Sequence, residues 1–324
     1  MTYDTPQALR MALEQRLLTE SQERGIALDR LRRRVVVQRI VTRLQRAEPG
    51  LWVLKGGMAL EVRLGDNARL TKDVDLGLRD EIRDGGDLRD RLIEALSSDV
   101  EADGFTFAVA SAERMAPDGG GHLTWRAGVS AQLAGRRFGA VKLDVSPRAH
   151  ELEGTELVTL PNSLAFAGLE AVQIEIIDVH RHAAEKLHAM TRDFGDRENS
   201  RVRDLVDLML LHEHDLLYAP ALAQAVATVW AERDGAAPPA QLPALPAGWP
   251  SRYERLAAEH DVEPPLFPAA AASLPSCGHR CSTPRRADRP CPKGVAAGPR
   301  RKCREAGLSA RLRSRRRAAL PERG

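Results

Sequence analysis

The sequence predicts an α/β protein, with a sheet core in the middle of the chain and helices before and after it. Three patterns carry that prediction. Leu31, Val35, Val36, Ile40 and Leu44 recur at three- and four-residue steps, the spacing of a helix with one apolar face. In Phe138–Ser146 the apolar Val141, Leu143 and Val145 alternate with Lys142, Asp144 and Ser146, the spacing of a strand with one buried face. Beyond residue 180 helical spacing returns: Ala183, Leu187 and Met190 form one inward stripe, and Val202, Leu205, Val206 and Met209 a second.

Taken in order, Pro6–Ala47 reads as two helices. The arginines of the second (Arg30, Arg32, Arg33, Arg34, Arg39, Arg43) are expected on a solvated face, with a polyanion-facing surface as the other reading. Leu51–Leu54 is a short apolar lead-in, Gly56-Gly57 a turn, Met58–Leu64 a helix, and Gly65-Asp66-Asn67 a run of turn formers leading to a strand over Leu70–Leu78. Leu88–Leu96 fits a helix, and Thr106–Ala110 and Leu123–Leu133 fit strands on either side of a loop at Pro117–Gly121. A turn at Gly135-Arg136-Arg137 precedes the strand at Phe138–Ser146. Val172–Ile177 leads into a helix over Arg181–Arg192, which breaks at Phe194-Gly195-Asp196. Ser200 is a suitable N-cap for a helix reaching His212. Helices over Ala221–Arg233 and Tyr253–His260 flank the proline-rich Ala237–Pro250. The implied organisation is N-terminal helices (1–47), a sheet-containing core (48–160), a helical domain (161–262) and a tail (263–324).

Composition narrows the class of protein. At 324 residues and 43% hydrophobic content the chain can bury a real core. No apolar run approaches the roughly 20 residues of a membrane span, and the N-terminus is too charged for a signal peptide, so a cytoplasmic protein without membrane contact is expected. All four cysteines (Cys277, Cys281, Cys291, Cys303) lie late in the chain, so the rest folds without disulfides, and their spacing lacks the paired C-x2-C knuckles of a zinc site. From Cys277 onward there are 15 Lys and Arg against 3 acids, whereas residues 1–276 carry 33 against 42. The overall +3 therefore hides an acidic body and a strongly basic tail. The tail is expected to be disordered, either binding RNA through its charge or adding nothing to the function.

The chemistry concentrates in Lys55–Leu76. A glycine turn at the start of a helix leaves backbone N–H groups free to face an anion. Side chains alternate along a strand, so Asp73 and Asp75 share one face. With 45 acidic residues in the chain, one such pair arises easily by chance; order and context raise its value, because Asp144 occupies the polar face of a later strand. If the two strands are neighbours, three carboxylates crowd together and need a compensating charge. That charge is a divalent cation, most simply Mg²⁺, or else arginines on a merely structural polar edge. The lysine at 186 borders its helix's apolar stripe, either covering core surface or reaching over a cleft. Asp204 and Asp207 share another side of the next helix, within helical reach of Arg201 and Arg203.

These residues resemble the AbiEii/AbiGii toxin family of nucleotidyltransferases, within the DNA polymerase β-like superfamily. The similar stretches are Lys55-Gly56-Gly57-Met58-Ala59-Leu60, Arg69 to Leu76, Lys142-Leu143-Asp144, Ala184 to Ala189 and Arg203 to Leu208, over roughly residues 25 to 260. Met58 stands where many relatives carry a small hydroxyl residue. The resemblance implies a mixed sheet flanked by helices with a helical C-terminal domain, and transfer of a nucleotide from an NTP to an acceptor hydroxyl. It implies two Mg²⁺ ions held by Asp73, Asp75 and Asp144, and triphosphate contacts from Gly56, Gly57, Lys55, Arg69 and Lys186, with Asp204 an active-site residue beside Lys186. As partners it implies an RNA acceptor such as a tRNA 3′ end and an antitoxin protein. A small-molecule or protein acceptor, or a non-catalytic nucleotide- or RNA-binding regulator, are the alternative functions.

Overall fold

A computed structural model of the chain describes residues 3–69, 71–99, 101–116, 123–192, 194–195, 198–240, 243–260 and 262. The basic tail with its cysteines, the loop expected at Pro117–Gly121, the expected strand residue Leu70 and Asp196 of the expected helix break lie outside the described residues.

Helix α1 (Pro6–Arg24) starts where Thr5 caps it, its Oγ1 accepting the Ala8 N–H at 3.2 Å, and stops at Gly25, whose φ of +66° suits a residue without a Cβ. Helix α2 (Leu28–Ala47) follows after a short turn, so the two expected N-terminal helices are present. Next come β1 (Trp52–Lys55), α3 (Gly56–Leu64), β2 (Asp73–Leu78), α4 (Gly85–Ser97), β3 (Phe105–Arg114), β4 (Trp125–Leu133) and β5 (Arg136–Pro147). Strands β6 (Thr155–Thr159) and β7 (Gln173–Ile177) complete one seven-stranded sheet of order β3-β4-β5-β2-β1-β7-β6. It is mixed: β2 runs parallel to β5 and β1 parallel to β7, while the remaining pairs are antiparallel.

The last part is helical: α5 (Val179–Thr191), α6 (Val202–Glu213), α7 (Ala219–Asp234) and α8 (Trp249–Glu259). One apolar core joins α1, α2 and α4 to the sheet as far as Ile177; a second joins Leu60 and Leu64 of α3 to α5, α6 and α8. The sheet therefore runs past residue 160, where sequence alone suggested a boundary, and α3 belongs to both halves of the molecule.

Two local expectations need correction. The arginines of α2 are not a solvated face: Arg39 and Arg43 are only 3% and 6% exposed. Arg43 donates to Asp103 Oδ1 at 2.7 Å and to the Leu96 carbonyl at 2.6 Å, Arg39 pairs with Glu101, and Arg34 pairs with Glu61 and with Asp66 at 2.8 Å. Acids arriving from distant segments make these positions tolerable in the interior, which periodicity in one helix does not reveal. The helix expected to be capped by Ser200 instead starts at Val202, with Asn199 Oδ1 accepting the Arg201 N–H at 2.9 Å. Arg201 is the N-cap and no side chain caps the helix; Asn199 instead closes a turn just ahead of it.

Candidate active site

The parallel pairing of β2 and β5 sets Asp73 beside Lys142 and Asp75 beside Asp144. The sequence-predicted carboxylates are thus neighbours on one sheet face, and Lys55 at the end of β1 lies opposite Asp75 on the other flank. Helix α3 leaves β1 at this point. Gly56 makes the departure possible: its φ is +58°, and a Cβ there would stand 1.8 Å from Asp75 Oδ2. At Gly57 a Cβ would stand 2.7 Å from the Thr71 Cβ. The two glycines let the start of α3 press onto Asp75 and Thr71, so the bare side of each is filled by protein rather than open to a phosphate. What remains available for an anion is the backbone N–H set of the first turn, which no side chain caps.

Asp75 is held in an unfavourable place for a charge. Burial, then the Asp144 carboxylate, push its pKa up; Lys186 and Lys55 pull the other way without cancelling them, and Asp73 adds to the rise. Such a group calls for a nearby cation. One is present that sequence reading missed: Arg126 on β4 donates from Nε to Asp144 Oδ1 at 2.7 Å and from Nη2 to Oδ2 at 2.6 Å, and lies 3.6 Å from Asp73. The pairing of Arg126 with Asp144 across β4 and β5 puts it there, and the alternation of Trp125–Leu133 already placed it on the open face.

A divalent cation is a reasonable guest on chemical grounds, since three carboxylates share one sheet face and Asp75 lacks full compensation. Among the described residues, however, no three His, Cys, Asp or Glu side chains stand ready to share one ion. Arg126 holds both oxygens of Asp144, so a metal using that carboxylate has to displace the guanidinium.

The cations predicted to face a triphosphate are each paired. Lys55 is buried, 3.3 Å from Glu151 and 3.5 Å from Glu185. Arg69 meets Asp207 at 2.8 and 3.0 Å. Lys186, 7% exposed, donates to Asp204 Oδ1 at 3.0 Å and to Asp207 Oδ2 at 2.7 Å. Burial alone would lower the Lys186 pKa, but Asp204 and Asp207 outweigh it and the net shift is upward, so the ammonium stays charged. Asp204 is thus beside Lys186, as the resemblance implied. Asp207, at 0% exposure, pairs with Lys186 and Arg69 and not with Arg203, which faces outward. The expected reach of Arg201 to Asp204 does occur, at 3.7 Å.

One turn before Lys186, His182 is buried with neither ring nitrogen hydrogen-bonded among the described residues. Burial first, then Lys186, Arg63, Lys55 and Arg69, depress its pKa well below the ordinary value, so it is neutral. No sequence pattern singles it out.

A family model described as the nucleotidyl transferase AbiEii toxin of type IV toxin–antitoxin systems matches residues 39–273. The chain belongs to this family. It is a nucleotidyltransferase of the AbiEii toxin type. MenT4, a nucleotidyltransferase toxin of Mycobacterium tuberculosis, shares the fold at 20% identity and a TM-score of 0.50, covering 82% of this chain and 88% of that one. JHP933 of Helicobacter pylori also overlaps, at 20% identity and a TM-score of 0.38, over 62% of this chain and 73% of its own. No curated protein matches by sequence. Among the described residues of this AbiEii-type enzyme, no helix is long and apolar enough to cross a membrane.

Proposed function

We propose that the chain moves a nucleotide from an NTP to a hydroxyl of RNA, such as a tRNA 3′ end, with Mg²⁺, as the toxin of a toxin–antitoxin pair whose antitoxin is a separate protein. The observation that carries the reading is the side-by-side placement of Asp75 and Asp144 on parallel strands, with Asp73 next along β2 and the uncapped start of α3 against them. Asp73, Asp75 and Asp144 would hold the metal ions. Bound there, Mg²⁺ supplies positive charge that neutralises the triphosphate and the two oxygens exchanging at the α-phosphorus.

The chain's own groups do the positioning. The first N–H groups of α3 donate to phosphate oxygens, and Lys186, held in place by Asp204 and Asp207, adds a fixed positive charge behind them. The acceptor hydroxyl oxygen forms a bond to the α-phosphorus as the bond to the bridging oxygen breaks, pyrophosphate leaves, and the hydroxyl proton passes to a carboxylate of the cluster. Asp144, freed of Arg126, is placed for that proton. Gly56 keeps Asp75 against the start of α3, Arg69 holds Asp207, and Lys55 contributes from behind while bound to Glu151 and Glu185.

The test is transfer of label from each α-labelled NTP into total RNA with Mg²⁺, which Asp73→Asn should abolish. Transfer to a metabolite or protein but not to RNA overturns the acceptor assignment, and transfer that survives Asp73→Asn overturns the site. The toxin role is read by growth arrest on expression, which Lys186→Ala should relieve.

A further inference from the structure

We infer that the open face of β3, β4 and β5 is the track along which a single-stranded RNA end reaches the carboxylates. This rests on the reading of RNA as acceptor and adds where it lies. A groove of about 650 Å³ runs over this face and ends at Asp73. Its floor is almost bare sheet: Ala108, Ala110, Gly128, Ser130 and Ala140 carry at most a small side chain. Strand register orders the face in rows. Ala108, Ser130 and Ala140 form one, Gly128, Lys142 and Asp73 the next, and Arg126, Asp144 and Asp75 the last. An occupant of the groove therefore has its end delivered to the catalytic row.

The polar groups on the groove are cationic, apart from Ser130 and Asp73 itself. Arg33, Lys72 and Lys142 line it, and none of them is in an ion pair among the described residues. Arg33 is the telling one. Every other arginine of α2 is tied to a carboxylate: Arg30 and Arg34 to Glu61, Arg32 to Glu14, Arg39 and Arg46 to Glu101, and Arg43 to Asp103. A helix that neutralises all its arginines but the one on the groove leaves that charge for an outside anion. Cations beside a shallow open floor suit a phosphodiester backbone better than a small metabolite, which favours an enclosed pocket. No aromatic ring lines the groove, so bases are not stacked on protein and contacts go to the backbone. The track should be tolerant of sequence.

The experiment uses the full chain, so that the basic tail is the same in every variant. Gly128→Leu fills the groove without straining the sheet, because a Cβ at Gly128 meets only the Ala110 Cβ at 3.6 Å. Arg33→Glu and Ala108→Glu oppose the proposed charge recognition. KM for a 3′-hydroxyl RNA oligonucleotide should rise about tenfold in each, with NTP affinity unchanged within about twofold. Arg33→Glu should also flatten the plot of log affinity against log salt by about 0.7. Wild type that extends RNA while all three variants keep its KM overturns the track alone. Wild type that extends no RNA overturns the acceptor reading and the track together. Variants that raise KM for a protein or metabolite acceptor instead overturn RNA as the occupant.

Discussion

Gly56 offers the sharpest test of the site, because two separable penalties meet there. In Gly56→Ala the new Cβ has to tolerate a φ of +58°, which costs about 1–2 kcal/mol for a residue with a side chain. It also lands 1.8 Å from Asp75 Oδ2, 2.6 Å from Cγ and 2.9 Å from Cβ, so the carboxylate must move by more than 1 Å or the start of α3 must lift. With Asp75 acting as proposed, a displacement of that size costs about a hundredfold in rate. Gly135→Ala is the control, since its φ is +70° but nothing lies within 4 Å of its Cβ. Both variants should lose the backbone penalty, about 2–8 °C in Tm for a chain of this size. Only Gly56→Ala should lose more than that and also lose nucleotide transfer. Combining it with Asp75→Ala, which removes Oδ2 and Cγ but leaves Cβ, should recover part of the excess Tm loss and none of the activity. A Gly56→Ala enzyme with wild-type transfer and the Tm of Gly135→Ala would refute the claim that Asp75 must sit against the start of α3.

Three further outcomes follow from the charges. Lys186→Met strips one partner from Asp207, which is fully buried, and should cost about 3–5 kcal/mol in urea unfolding; a loss below about 1 kcal/mol would show that Arg69 alone suffices. Glu151 has its pKa lowered from 4.5 to about 2, since Lys55, Arg148, Arg233 and Arg181 outweigh its burial. A depressed carboxylate stabilises the fold above its unfolded pKa and loses that contribution as pH falls, here between 4.5 and about 2. Glu151→Gln should therefore be less stable than wild type at neutral pH, by up to about 3 kcal/mol, with the gap closing toward pH 2; a gap that does not change with pH would contradict this. Arg126→Ala frees both oxygens of Asp144 and should tighten Mn²⁺ or Mg²⁺ binding by roughly tenfold in calorimetry without nucleotide, while weaker binding would mean that Arg126 helps form the metal site rather than competing for it.

The elements were legible wherever one repeat period dominated. The alternation in Phe138–Ser146 put Asp144 on the polar face it occupies, and the helical stripes marked α5 and α6, whereas the nearness of Asp204 to Lys186 came from the resemblance and not from spacing. Strand β6 was not legible, because Thr155–Thr159 pairs only with β7 at the sheet edge and keeps much of itself exposed. Charged residues were the main difficulty. Arg43 and Asp103 are buried because they meet, and Asp207 is buried because Lys186 and Arg69 reach it from two other segments. Helical spacing proposes local partners such as Arg203 for Asp207, yet a partner from another segment can bring a charge into the interior where a local one leaves it exposed. Arg126 was missed for the same reason, as its role comes from a cross-strand neighbour eighteen residues on.

These pairings also determine how a nucleotide approaches. Lys186 and Arg69 are balanced by Asp204 and Asp207, and Lys55 by Glu151 and Glu185, so little free positive charge remains at the start of α3. Asp73 and Asp144 meet Arg126 directly, while Lys186 and Lys55 act on Asp75 without cancelling its burial and its carboxylate neighbours, so the row stays short of positive charge and the raised pKa of Asp75 is the mark of that. On the proposed reading, a bare triphosphate meets repulsion there, whereas one that brings divalent cations would be offered three carboxylates. Nucleotide affinity should therefore collapse when the metal is chelated and recover in part in Asp75→Asn, which removes repulsion even though it removes a ligand. A regulator that binds nucleotide through Lys186 and the α3 N–H groups alone would show the opposite pattern, with binding indifferent to chelation and to Asp75.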